Sequence, residues 1–249
     1  IYFLIPLFLI ASCASAPPVP ENPESEAEVI YKRADFYRRE RKWERAEKLF
    51  TKILTDYSYS AYSSLALIGL GDTYFDKESY TAALEIYKRF LKMHPNHEKT
   101  DYALFQIGNS HFEQRPSDFF ILPDPETKDL EEVEKAVDYY RRFTEKHKES
   151  NYMDKVEERL EKAESFLISR EIRIANYYAG QKRCPAVHVR LDYIDRNFEV
   201  KSPEVRKKIS SLEEGCPLSE EEKKVLSIAG IEHSNEDSES ENRSGENEK

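Results

Sequence analysis

From Val29 to Ala229 apolar residues recur every three or four positions, the spacing of one face of an α-helix, and not at every second position as in a strand. The pattern predicts an all-α body of about 200 residues. Its C-terminal half resolves into single elements. Leu160, Ala163, Phe166, Leu167, Ile174, Ala175 and Tyr178 predict one long helix from Asn151 to Ala179, and Val187, Leu191 and Ile194 mark the next. Ser202-Pro203-Glu204 reads as a helix start, with Ser as the cap and Pro in the first turn, and Ser219 to Glu222 has the Ser-x-x-Glu order of a capping box.

The N-terminal half repeats itself. Ala34, Gly71 and Gly108 stand 37 residues apart. Around Gly71 the order Leu67, Leu70, Gly71, Tyr74, Tyr80, Ala83, Tyr87, Phe90, Pro95 resembles the tetratricopeptide repeat, and Ile30, Ala34, Tyr37, Trp43, Ala46, Phe50, Ile53 repeats it, with Ser58 in place of the usual Pro. In such a unit two antiparallel helices meet where a small residue on each, here Gly71 and Ala83, lets the backbones approach. The third copy has Leu104, Ile107, Gly108 and His111 on its first helix and Ala136, Tyr140 and Phe143 on its second, so the small residues lie 28 apart instead of 12. The extra residues fall in Gln114 to Asp129, which holds three prolines and the run Phe119-Phe120-Ile121-Leu122. This segment reads either as a loop folded over the repeat or as a partner contact. The expectation is a tetratricopeptide-repeat superhelix of about five helix pairs over 29–230, with a concave surface lined by the first helix of each pair.

The ends set the compartment. Ile1 to Ser12 is an uncharged apolar run, too short to span a bilayer but right for the apolar region of a secretory signal whose charged beginning is missing. Ile10-Ala11-Ser12-Cys13 resembles a bacterial lipobox, with Cys13 as the acylated N-terminus, and Ala14 after it favours the outer membrane. Residues 13–28, with four prolines, read as an extended tether. At the other end, 231–249 reads as a disordered acidic tail; from Glu232 on, seven acidic and two basic residues carry about half of the net charge of −10. No basic stripe remains for nucleic acid. No phosphate loop, His-Glu-x-x-His, nucleophile elbow or zinc-spaced Cys cluster is present, so no enzyme and no cofactor is expected. His94 and His97 are three apart, but Pro95 puts them in a turn with no third ligand aligned, and no metal site is expected. Neighbours such as Glu157 and Lys162 read as a solvated helix face.

A lipobox, a Pro-rich tether and five repeats interrupted in the third together resemble the BamD family of repeat lipoproteins, part of the machine that assembles outer-membrane β-barrels. Tyr57 with Tyr62-Ser63, His94-Pro95-Asn96-His97, Asp101-Tyr102, Phe105 to Gly108 and Asp124-Pro125 agree with it in order. The resemblance implies a lipid-anchored protein on the periplasmic face of the outer membrane. Its C-terminal repeats would bind the periplasmic domains of a BamA-like barrel subunit beside accessory lipoproteins, and its N-terminal repeats would receive unfolded barrel precursors. Such precursors end in strands of alternating aromatics, which a groove of aromatic rings can bind. Tyr37, Tyr57, Tyr62, Tyr74 and Phe105 are the groove candidates, with Tyr37 and Tyr74 equally readable as repeat core. The other reading of the same fold and compartment is a pilotin or cell-envelope adaptor. Cys184 opens one predicted helix and Cys216 follows the end of the next, after Gly215, whose position suits a helix C-terminal cap. Antiparallel packing would therefore bring the two thiols together as a disulfide, which an oxidising compartment permits.

Overall fold

A computed structural model describes residues 22–115 and 130–231. Among these are ten α-helices and no strand: α1 (Pro23–Arg39), α2 (Trp43–Asp56), α3 (Tyr62–Asp76), α4 (Tyr80–Met93), α5 (Thr100–Glu113), α6 (Glu131–Lys146), α7 (Met153–Gly180), α8 (Cys184–Asn197), α9 (Pro203–Gly215) and α10 (Glu220–Ile228). They fall into two compact units divided within α5, after Ser110. Cys13, residues 116–129 of the insertion and the acidic tail from Glu232 lie outside the described residues.

One expectation is corrected at the start of the body. The tether does not reach Glu28, because α1 begins at Pro23. Asn22 accepts a hydrogen bond from the Glu24 amide, Pro23 occupies a position whose missing N–H costs nothing, and Glu24 and Glu26 face the positive end of the helix dipole. Ala27 is fully buried, so the first turns belong to the packed body.

In the first unit, α1 packs on α2, α2 on α3 and α3 on α4, and α1 also lies beside α3. Ala34, Ala46 and Ala66 keep three helices close, while Phe50, Ile53 and Leu70 fill the space between them. Side chains of the latter size each stabilise by about 1.5–3 kcal/mol on burial. The glycines carry the closest approaches. A Cβ on Gly71 would stand 2.6 Å from the Tyr87 ring, and one on Gly69 only 2.4 Å from the Phe50 ring. The small residue at 71 therefore makes room for a ring, and Gly69 does the same against α2.

The second unit has its core on α6 to α8: Val133, Ala136, Tyr140 and Phe143, then Val156, Ala163, Ile174 and Ala175, then Val187, Leu191 and Ile194. Val187 is fully buried, so this pair accommodates a residue larger than the usual Ala. The caps at Ser202 and Ser219 form as read, the second as a complete capping box. Gly215 is the last residue of α9, and Cys216 takes the cap position.

Three turns share one backbone device. Arg41, Glu78 and Lys182 have positive φ (56°, 62° and 57°), and the amide one residue further on reaches back to a tyrosine carbonyl. These bonds are Lys42 to Tyr37 (2.9 Å), Ser79 to Tyr74 (2.8 Å) and Arg183 to Tyr178 (3.0 Å). This six-residue closure ends one helix and aims the chain at its partner.

Candidate functional site

The first helices of the repeats carry a register of polar residues directly after the small ones: Asp35 after Ala34, Asp72 after Gly71, Asn109 after Gly108. In the first unit these residues belong to two hydrogen-bonded sets. On α1, Arg38 donates to Asp76 of α3 (Nη1 to Oδ2, 2.7 Å) and to Asp35 (3.1 Å). Burial alone would lower the Arg38 guanidinium, but Asp76, Asp72 and Asp35 raise it far above its ordinary range, so it is a fixed cation. On α3, one carboxylate oxygen of Asp72 accepts from the Tyr87 hydroxyl (2.6 Å) and from the Tyr102 hydroxyl of α5 (2.8 Å). Gln106 donates to the Tyr87 oxygen at 3.4 Å and accepts from Asn109 at 2.7 Å, extending the chain through buried side chains. Polar groups sunk this deep are stable only when paired, and here each fixes the next.

The five aromatic candidates are spread over this unit, Tyr37 on α1, Tyr57 at the end of α2, Tyr62 and Tyr74 on α3 and Phe105 on α5. Tyr57 lies beside Glu26 and Tyr62 beside Glu28, and each phenol is raised, Tyr57 chiefly by that carboxylate and Tyr62 chiefly by burial. Tyr74 donates to Glu47 Oε1 at 2.8 Å, and burial with this contact pushes its phenol up to about 12. Tyr37 packs on the first core cluster, with the Arg45 guanidinium 5.5 Å from its ring centre. Phe105 is 8% exposed. Glutamates thus stand beside three of the hydroxyls, and Glu47 holds that of Tyr74, so that what the tyrosines can offer a peptide is their rings. Tyr31 belongs to the same set although its residue type alone did not single it out: its ring lies 5.6 Å from Tyr62 and 5.7 Å from Phe50. The 37-residue register that located Gly71 also locates Asp35 and Asp72, each directly after the small residue, whereas Tyr31 and Arg38 fall in register with Ile68 and Phe75 and are not marked by it.

His97 is used locally, its Nδ1 accepting from the Lys99 amide at 3.0 Å and its Nε2 lying 3.1 Å from Ser64 Oγ. Among the described residues no group of three or more His, Cys, Asp or Glu is placed to hold a metal. No described helix is long and apolar enough to cross a membrane. In the second unit an open cavity of about 720 Å³ between α7 and the α8–α9 connection is lined by Asp154, Glu157, Glu158, Glu161, Glu164 and Glu199, with Lys201 as the one cation among the described residues that line it. Cys184 and Cys216 are neighbouring thiols, and both are free.

The family model for YfiO, described as an outer membrane lipoprotein, matches residues 23–216, which takes in most of both units. The chain belongs to the YfiO family. It is similar to the outer membrane protein assembly factor BamD of Vibrio cholerae, at 24% identity over 199 residues, covering 78% of this chain and 81% of the relative. A second relative of the same name, from Pasteurella multocida, is 21% identical over 189 residues, covering 75% and 71%.

The two units of this YfiO chain should answer acid differently. Burial would raise Glu113, but hydrogen bonds from Arg115 (2.9 Å) and Arg159 (2.8 Å) hold it below the usual carboxylate range. Glu132 is likewise held down, against burial, by His111 and Lys135. The stability these two contribute is complete above the unfolded glutamate value and is lost as pH falls through the lowered folded one. Asp72 is raised, chiefly by burial, so its contribution has the opposite sign and grows as pH falls into the window between its unfolded and folded values. Denaturant midpoints followed by circular dichroism from about pH 6 to about pH 3 should show a shallower acid loss in Glu113→Gln and a steeper one in Asp72→Asn. Parallel curves for both variants and the parent would refute the assignment.

Proposed function

We propose that this protein is an outer-membrane protein assembly factor, a lipid-anchored repeat scaffold on the periplasmic face of the outer membrane. In this reading it binds the barrel-forming subunit of the assembly machine, together with accessory lipoproteins, and the unfolded precursors to be inserted. The observation that carries the reading is the family match through both helical units, since the relatives so matched bear the assembly name. The geometry supports a division of labour. The first unit carries partly buried tyrosine rings beside a hydrogen-bonded polar network, suited to a strand whose alternate side chains are aromatic. The groups of that network are bonded to one another, so selectivity there comes from the rings. The second unit exposes apolar side chains at helical spacing, Val189 and Tyr193 on α8 (39% each) and Val225 and Ile228 on α10 (62% and 79%), beside charged surface. Such mixed surface suits a folded protein partner.

Co-purification from outer membranes tests the proposal. The protein should bring down a large β-barrel protein with repeated periplasmic domains, and Val189→Glu combined with Val225→Glu should cut the yield about tenfold or more, because an interface then buries two unpaired charges. Depletion should lower the outer-membrane content of barrel proteins generally. Recovery of a secretin or a peptidoglycan synthase instead, with barrel proteins unaffected by depletion, would favour the adaptor reading.

A further inference from the structure

We infer that Cys184 and Cys216 close an intramolecular disulfide that locks α9 onto the first turn of α8. Three placements bring this about. Cys184 is the first residue of α8 and Cys216 caps the end of α9, two helices that pack on each other. His188, one turn along α8 from Cys184 and so on the same face, has its Nε2 2.8 Å from the Cys216 carbonyl oxygen. That bond holds the Cys216 backbone over the turn that carries Cys184. On α9 the buried positions Ile209 and Leu212 are followed by Cys216, 1% exposed, so Cys216 prolongs the stripe by which α9 is seated. The two thiols are near neighbours, and burial together with the Cys184 sulfur pushes the Cys216 thiol up to about 11.

These differences set the order of reaction. Cys184 is only half-buried and is the thiol that an oxidant can reach. As its thiolate it attacks one sulfur of an incoming disulfide, forms a mixed disulfide and releases one thiolate. Cys216 then gives up its proton and attacks the Cys184 sulfur, expelling the second thiol. The balance is two protein thiols and one external disulfide converted to one protein disulfide and two external thiols. The external disulfide can be that of a small molecule or of an oxidoreductase. What the bond secures is the last part of the second unit's described helices. Of α9 only Ile209 and Leu212 are buried, and of α10 only Leu226. The covalent link therefore falls where apolar anchoring is thinnest.

The test uses the full chain, extracted from membranes, reduced, incubated with glutathione disulfide, alkylated and digested without reductant. A single linked peptide containing both residues, in monomeric protein, is expected. Cys216→Ser should accumulate the glutathione adduct at Cys184, while in Cys184→Ser the buried Cys216 should stay largely unmodified over the same time. The closed loop should shift the unfolding equilibrium of the second unit toward the folded state by about a hundredfold or more relative to reduced protein. Two alkylated thiols in the parent protein, a stable mixed disulfide there, or a link between molecules would overturn the bond. Equal denaturant midpoints for oxidised and reduced protein would overturn the lock.

Discussion

Replacing Gly69 with Val should unfold the first helical unit or leave it marginal, and even Gly69→Ala should destabilise it by about 1–2 kcal/mol. The sign is the informative part. Alanine in a helix interior is intrinsically better than glycine by roughly 0.5–1 kcal/mol, so with open space beside it the same change would stabilise. Here the new Cβ would lie 2.4 Å and 2.5 Å from two atoms of the Phe50 ring, and Phe50 is itself fully buried between α1, α2 and α3. The ring cannot swing outward, so α2 and α3 must separate and uncover the cluster formed by Ala46, Ile53, Ala66 and Leu70. Valine adds two more carbons to the same gap. Gly215→Ala provides the contrast, since no atom lies within 4 Å of its Cβ position, and it should be neutral or slightly stabilising. Denaturant titration of these variants, with Phe50→Leu as partner in a double-mutant cycle, checks the mechanism. In the Phe50→Leu background the penalty of Gly69→Ala should shrink, and an undiminished penalty would show that contact with the ring is not its cause.

Replacing Cys13 with Ser should abolish membrane attachment when an ordinary cleavable leader carries the chain to the periplasm. The proposed anchor is the acyl group on Cys13, the cysteine of the lipobox-like Ile10-Ala11-Ser12-Cys13. At about 0.8 kcal/mol per buried methylene, one chain holds a protein only reversibly, whereas the two or three of a bacterial lipoprotein hold it essentially permanently. The expected outcome is a shift from the detergent phase to the aqueous phase, loss of incorporated fatty-acid label and an unchanged helical spectrum. A variant that remained with membranes in cells lacking every proposed partner would show that something other than the acyl chains anchors it.

How much of this was legible in the sequence depends on what each feature is made of. Helix periodicity, the 37-residue register, the long α7 and the caps at Ser202 and Ser219 are local, and local rules read them. The start of α1 was equally local but was masked by composition: Pro23, Glu24 and Ser25 look like linker until Asn22 is seen as their cap. Gly71 stood out through the register, whereas Gly69 did not, because its constraint comes from a ring on another helix. The groove tyrosines were legible as aromatic positions; that Glu47 holds the Tyr74 hydroxyl and that Glu26 and Glu28 stand beside Tyr57 and Tyr62 was not, since such pairing depends on how helices sit side by side. Asp35, Asp72 and Asn109 could have been found, because they follow the small residues at the same interval. The approach of Cys184 and Cys216 follows from antiparallel helices alone.

The three tyrosine-closed turns bear on how the molecule comes into being. Each joins two helices through six consecutive residues, so both partners of a pair are neighbours in the chain and their contacts cost little loop entropy. Mostly local contacts of this kind allow folding on fast timescales, without waiting for distant segments. The α1–α2 pair can close, and Phe50 find its place, before the residues of α9 and α10 have found theirs. Even the covalent link inferred between Cys184 and Cys216 joins neighbouring helices. Folding can thus keep pace with an emerging chain from its N-terminal end, leaving little apolar surface exposed at any one time.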